Sequence, residues 1–263
     1  MNSFFLLLLL CLPLTVCDWT GHSRNDLAKT VSLVEYMGFS TPAQRADFVR
    51  NFVHKNSIHL IDEEYYSYAS DTDKIISLLY DCASGSGQPP HLDCYTRSRA
   101  MEAILRAMGI KTRAIDVYSD DFDTLESHSF LEVYSPGENA WHVQDPDYNI
   151  YYIDSATKSR LSAMQLVFQP LEGSVPCRDD LKCGWKDLGL ERIRDHYFEL
   201  LVYDRRGVKG GKTVILVNQS RFDPAKRFSG KDNKTMSEFT ERFYGRPIYV
   251  MNSELRSAPP SGD

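Results

Sequence analysis

Three side chains in this sequence have the types needed for nucleophilic catalysis. Cys94 opens an amphipathic stretch, His128 starts a strand-like run, and Asp145 ends another. A thiol becomes a nucleophile when its thiolate is stabilised, which a helix N-terminus does through unpaired N–H groups and its dipole. The thiolate also needs a base, and the base needs an acceptor to orient it. Cysteine parity offers Cys94 a competing fate. The chain has six cysteines; with Cys11 and Cys17 set aside, Cys82, Cys94, Cys177 and Cys183 remain, and four cysteines invite two disulfides. The run "CRDDLKC" can close a small loop between Cys177 and Cys183. Cys82 and Cys94 are then left either as a second disulfide or as free thiols.

The elements that must position these groups are legible in part. "LAKTVSLVEYMG" reads as a helix ending on Gly38, and "STPAQRADFVRNFVHKN" as a second with Thr41 as N-cap and Pro42 in its first turn. Ala46, Val49, Phe52 and Val53 share one face of it. "DTDKIISLLYDCA" repeats the pattern behind an Asp cap, and Ser84 to Pro90 ("SGSGQPP") is a loop that delivers the chain to Cys94. From Tyr95 to Met108 the apolar residues Met101, Ile104, Leu105 and Met108 form one stripe, and Gly109 ends the helix.

"IKTRAIDVYS", "HSFLEVYS" and "AWHVQDP" read as strands, the last two joined by the turn-like "PGEN". If Pro136-Gly137 is a two-residue connection, His128 lies opposite Asp145, on the face of Phe130 and Val143, where side chains can bridge. An odd-numbered loop would put the two on opposite faces unless a bulge restored the alignment. Beyond "YYIDSATKSRLSAMQLVF" the signals weaken. "KTVILVNQ" and "PIYVMN" look like strands, with a helix around "MSEFTERFYG". No linker separates these parts, and one α+β domain is the economical reading.

Composition narrows the class. With 42% hydrophobic and 25% charged residues the 263-residue chain is that of a soluble globular protein. Its net charge of −6 gives no electrostatic reason to expect nucleic acid. "FFLLLLLCLPL", Phe4 to Leu14, is too short to span a bilayer but has the length of a signal-peptide core, although "MNSFF" lacks the usual Lys or Arg. Residues 1–17 are therefore read as a signal peptide and the protein as exported, whether periplasmic, secreted or lipid-anchored. Cys17 also stands where a lipoprotein acceptor would, and a lipid anchor there would tether the domain without making it span the membrane.

The block of Cys94, then Gly109-Ile110, then Arg113, resembles the Cys-helix-"GI.(A/S)R" segment of the transglutaminase-like superfamily. "HSFLEVY" resembles its His-strand block and "WHVQDPDY" its Trp-to-Asp-Pro block, in the same order. The resemblance covers roughly Leu92 to Tyr152. It implies a papain-like α+β core, in which the helix bearing the nucleophile packs on an antiparallel sheet carrying the His and Asp. It further implies Cys94 as nucleophile, His128 as base and acid, and Asp145 as holder of the imidazole. The sequence departs from the family in "PPHLD" ahead of Cys94, which lacks the Gly often found there. The Cys94 N–H is one candidate oxyanion donor, and Gln88 is a second.

Other signals are set aside. "RRGVKGGKT" has Arg206 where a phosphate loop needs Gly, and no metal-binding pattern appears, so neither cofactor nor metal is expected. His54, His59, His142 and His196 read as surface or core-edge residues. Asn218 and Asn233 begin glycosylation sequons. Within the one domain, residues 18–91 are expected to be a helical N-terminal part, 92–152 the core, and 153–263 an α+β extension.

The leading expectation is an exported thiol-dependent amide hydrolase or acyl transferase acting on peptides or proteins, with no transmembrane span in the mature chain. The alternative is a non-catalytic binding or scaffold module of the same fold, with a Cys82–Cys94 disulfide.

Overall fold

The computed structural model describes residues 19–118, 127–168, 173–178, 182–190, 200–204, 214–217 and 249–250. The expected signal peptide with Cys11 and Cys17, the "GGKT" run, His196, both sequons and the helix expected around "MSEFTERFYG" lie outside these residues. None of the described helices is long and apolar enough to cross a membrane.

In chain order the first elements are α1 (Trp19–Tyr36), α2 (Pro42–Lys55), β1 (Ile58–His59), α3 (Glu63–Tyr68), α4 (Thr72–Ala83), β2 (His91–Leu92) and α5 (Cys94–Ala107). Thr41 caps α2 as its sequence position implies. Its hydroxyl accepts from the Gln44 N–H at 3.2 Å, and the Gln44 side chain in return accepts from the Thr41 N–H, a reciprocal box that satisfies two orphan donors. Ala46, Val49, Phe52 and Val53 are buried along one face of that helix. They meet Ile75, Ile76 and Leu79 of α4 and Met101, Ile104 and Leu105 of α5 in one apolar cluster. Met108, expected in the α5 stripe, packs against this cluster but is only partly buried. The helix also begins one residue earlier than periodicity indicated, so Cys94 itself is its first residue.

The remaining elements are β3 (Thr112–Tyr118), β4 (Ser127–Ser135), β5 (Ala140–Gln144), β6 (Tyr151–Asp154), α6 (Ala163–Phe168), β7 (Ser174–Cys177), β8 (Leu200–Asp204), β9 (Val214–Val217) and β10 (Tyr249–Val250). Six strands form a sheet ordered β10-β9-β8-β3-β4-β5, antiparallel except for the β10–β9 pair. Side chains of β4 alternate between its faces. Leu131 and Val133 join the helical cluster, whereas Phe130 joins Ile115, Val117, Val143 and Tyr152 on the other side. Helix α5 packs on β3 and β4. The described residues thus combine helices with antiparallel sheets, the coarse architecture expected.

Two expectations need correction. The connection between β4 and β5 is not a two-residue turn: Ser135 pairs with Ala140 and Leu131 with Gln144, so Pro136 to Asn139 form the loop, with Asn139 at φ 48°. The register is therefore shifted by two residues, and His128 lies diagonal to Asp145 rather than opposite. A shift of two keeps every side chain on its face, so the pair still meets. The second correction is β8, "LLVYD", which the sequence reading left unassigned although it pairs with β3 along Ala114 to Tyr118. Five successive residues without polar alternation carry no period to separate strand from helix. α3, β1 and β2 were also unanticipated, and at two to six residues they are too short to show periodicity.

Gly109 ends α5 in the left-handed region at φ 73°, and the Ile110 N–H closes back on the Leu105 carbonyl at 3.0 Å. A Cβ at Gly109 would meet nothing within 4 Å, so the cost of Gly109→Ala is backbone strain alone. That strain is about 1–2 kcal/mol. Urea titration should show Gly109→Ala destabilised by that amount and Gly137→Ala near neutral, since Gly137 also has open space around it but no left-handed φ. Equal effects of the two substitutions would contradict this account of the helix end.

Candidate active site

Cys94 is placed by the end of α5. Asp93 is the N-cap: its carboxylate accepts from the Thr96 N–H at 2.7 Å, and the Thr96 hydroxyl accepts from the Asp93 N–H at 3.0 Å. Tyr65 donates its hydroxyl to the other Asp93 oxygen at 3.0 Å. Burial first, then the nearby Asp93 charge, raises the Tyr65 pKa and keeps its proton in place for that bond. One turn after Cys94, the Ser98 hydroxyl donates to the backbone carbonyl of Ser129, the strand residue next to His128. This bond fixes the helix start against the beginning of β4.

His128 is buried at that strand end, its ring against Tyr148 at 4.9 Å between centroids. Its Nε2 lies 2.7 Å from Asp145 Oδ2, and the Cys94 side chain is near enough to the ring to act on its charge. The carboxylate occupies Nε2, which leaves Nδ1 as the ring nitrogen available to sulfur. Asp145 is fully buried just beyond β5. It bridges to Ile150 through paired backbone bonds of 2.9 and 3.0 Å, which closes the loop between them into a tight turn. The other carboxylate oxygen, Oδ1, accepts from the Asp147 N–H at 2.9 Å and the Tyr148 N–H at 3.1 Å. The carboxylate is thus aimed by the backbone of its own turn.

The three expected residues therefore converge, and they are ordered from half-buried sulfur to buried imidazole to buried carboxylate. Burial by itself would lower the His128 pKa. The Asp145 carboxylate, followed by Cys94, outweighs burial and carries the imidazole well above its ordinary value of 6.5. Gln88, the second oxyanion candidate from sequence, is exposed on its loop.

The remaining cysteines divide cleanly. Cys177 and Cys183 are disulfide-bonded, with Cα atoms 4.2 Å apart. Cys82 and Cys94 are both free, so the disulfide on which the scaffold alternative rested is absent. Cys82 is half-buried on α4, where burial pushes its thiol pKa up. Among the described residues no cluster of His, Cys, Asp and Glu can hold a metal ion.

Sequence reading missed the groups around the Asp145 turn. His59, set aside as a surface or core-edge residue, bonds Asp147 at 2.6 Å, and His54 bonds the Asp147 carbonyl at 3.0 Å. No local motif marks these contacts, because they join segments 93 and 88 positions apart.

The arrangement is a helix-borne thiol facing an imidazole that a strand-end carboxylate holds. Residues 32–146, a little under half of the chain, match the model of the transglutaminase-like superfamily. The match begins well before Leu92, within α1, and so takes in the helices packed behind Cys94. Members of the superfamily generally perform cysteine-based acyl transfer or hydrolysis. No curated protein matches the chain significantly.

The sign of the His128 shift gives a prediction. A raised folded-state pKa contributes stability that is fully present below the unfolded value near 6.5 and is lost as pH rises through the folded value. Asp145→Asn removes the largest raising influence and leaves burial to dominate. Imidazole nitrogen shifts followed by NMR should show His128 charged at neutral pH in the wild-type protein and neutral there in the variant. Coincident titrations would contradict the pairing.

Proposed function

We propose that the protein is an exported thiol enzyme that acts on amide bonds of peptides or proteins through a covalent acyl-enzyme. The observation that supports this reading is the convergence of Cys94, His128 and Asp145, with the imidazole 2.7 Å from the buried carboxylate and under the influence of Cys94. Cys94 is the nucleophile, His128 the base and acid, and Asp145 the group that holds the imidazole. A cationic imidazole beside sulfur favours the thiolate. The Asp93 carboxylate offsets part of the positive potential of the helix start, so the imidazolium is the thiolate's main cationic partner.

In the first half-reaction the thiolate attacks the substrate carbonyl carbon, and the electron pair of the C=O bond moves onto oxygen. The Cys94 N–H, one of the first helical donors without an intrahelical acceptor, is placed to receive that oxyanion. Collapse of the intermediate breaks the C–N bond, and His128 Nδ1–H protonates the departing amine, leaving a thioester on Cys94. In the second half-reaction neutral His128 takes a proton from water or an amine as that group attacks the thioester, and Cys94 leaves as thiolate. Asp145 keeps the Nε2 proton directed at itself throughout. It thereby holds the tautomer that presents Nδ1 to sulfur.

Export is supported by the apolar leader and by the Cys177–Cys183 disulfide, a bond characteristic of oxidising compartments.

Alkylation tests the reading without a known substrate. At about pH 6, where an ordinary thiol is almost wholly protonated, iodoacetamide should modify Cys94 in the unreduced protein and leave Cys82 unmodified. His128→Ala should move Cys94 labelling to alkaline pH. A Cys82–Cys94 linked peptide as the main species would contradict the proposal, as would equal labelling of the two thiols.

A further inference from the structure

The turn that carries Asp145 is clamped at its next residue but one. Asp147 is buried, and all three of its polar groups are engaged. Its N–H donates to Asp145 Oδ1 at 2.9 Å. Its carbonyl accepts from Arg97 Nη1 at 3.1 Å and from His54 Nδ1 at 3.0 Å. Its carboxylate Oδ1 accepts from Arg97 Nη1 at 3.0 Å and from His59 Nδ1 at 2.6 Å.

Both cations on that carboxylate are rooted beside Cys94. Arg97 follows it by three residues on α5, and its Nη2 also donates to the Ser57 carbonyl at 3.0 Å. His59 pairs across β1–β2 with Leu92, two residues before Cys94. The turn that carries the imidazole-orienting carboxylate is thus tied through Asp147 to α5 itself and, by way of β1 and β2, to the segment just before it.

We propose that Asp147 is a positioning residue for the Asp145–His128 pair, held by Arg97 and by His59 as its solvent-facing arm. This inference rests on the reading of Cys94, His128 and Asp145 as the reactive triad.

The burial pattern sets this clamp apart from ordinary packing. Arg97 is only 3% exposed, yet its Nε has no hydrogen-bond partner among the described residues. An unpaired buried donor is costly, which makes arginine a poor choice for filling space alone. Four basic groups face the Asp147 side chain or backbone: His54 from α2, His59 from β1, Arg97 from α5 and His128 from β4. Burial would raise the Asp147 pKa, but His59, His128 and Arg97 together hold it below the usual carboxylate range. His59 in turn faces Asp147, Arg97 and Asp93, and its bond to Asp147 outweighs partial burial to raise its pKa above 6.5. With its side chain 51% exposed, His59 can be replaced without opening the core.

The test follows Cys94 alkylation by iodoacetamide against pH, with thermal midpoints recorded in parallel, in the full chain. Asp147→Asn preserves the backbone donor and the side-chain shape but removes the charge. It should slow labelling at about pH 6 by on the order of tenfold, as expected when reacting groups are slightly misaligned. His59→Ala should slow labelling as well, whereas His59→Asn, whose amide offers a donor near the position of Nδ1, should recover most of the wild-type rate. The His59 variants keep the test decisive if Asp147→Asn folds poorly.

A profile for Asp147→Asn that superimposes on wild type would overturn the inference, as would His59→Asn behaving like His59→Ala. Rates in the variants that merely follow the thermal midpoints would also overturn it. Any of these three results leaves the triad reading standing so long as Cys94 of the unsubstituted protein still labels at that pH. Absence of such labelling in the wild-type protein would remove both readings.

Discussion

The site depends on how one buried carboxylate is satisfied. Asp145 has no contact with solvent, and a buried carboxylate without partners is costly enough that its environment must supply them. It receives two backbone N–H donors from its own turn on one oxygen and the His128 ring on the other. Those three bonds fix the plane of the carboxylate, and with it the imidazole. The imidazole in turn determines which nitrogen remains for sulfur. If the turn from Asp145 to Ile150 were reshaped, the partners of His128 would change even with every side chain of the triad intact.

Two surfaces bring the thiol to that imidazole. The face of α5 that carries Met101, Ile104 and Leu105 docks on the helical cluster, which includes Leu131 and Val133 of β4. This apolar contact sets the position of the helix but is non-directional, and it cannot by itself choose the helix's advance along the sheet. The Ser98–Ser129 bond and the Asp93 cap supply the direction, holding the first turn of the helix at the end of β4. A second polar network does the same for α2. Arg50 is fully buried and donates to Asn149, Asp47 and Gln144, while Arg160 pairs with Asp47 from the other side. This network joins α2 to the end of β5 and to the turn that follows it. Buried charges of this kind are retained only when paired, and here the pairing fixes the loop that carries Asp145.

Much of this was legible in the sequence because it is local. Thr41 with Pro42, Gly38 and Gly109 mark helix ends by conformational rules that act within a few residues, and the helices end there. The meeting of His128 with Asp145 was legible for a related reason: strand alternation fixes which face a residue occupies, and a register shift of two leaves that face unchanged. The length of the turn was not legible: Pro-Gly is compatible with a two-residue connection, whereas the loop runs over four residues, with Asn139 in the left-handed region. The Asp93 cap was missed because its partner three residues on is Thr96, not the Glu or Gln of the usual box. Arg97, His59 and Asp147 carry no local signal, since each contact closes a long stretch of chain. Nothing in "RSRAM" or "SIHLI" tells which carboxylate will lie above it.

The central claim is that Cys94 forms an acyl intermediate with His128 and Asp145 behind it. An activated acyl ester such as p-nitrophenyl acetate, quenched in acid and followed by peptide mapping, tests this most directly. The account predicts one acetyl group, released by hydroxylamine as a thioester is, on the peptide bearing Cys94. It predicts little or none in His128→Ala and a slowed adduct in Asp145→Asn. No adduct on the folded wild-type protein, or acetylation of Cys82 in place of Cys94, would contradict it.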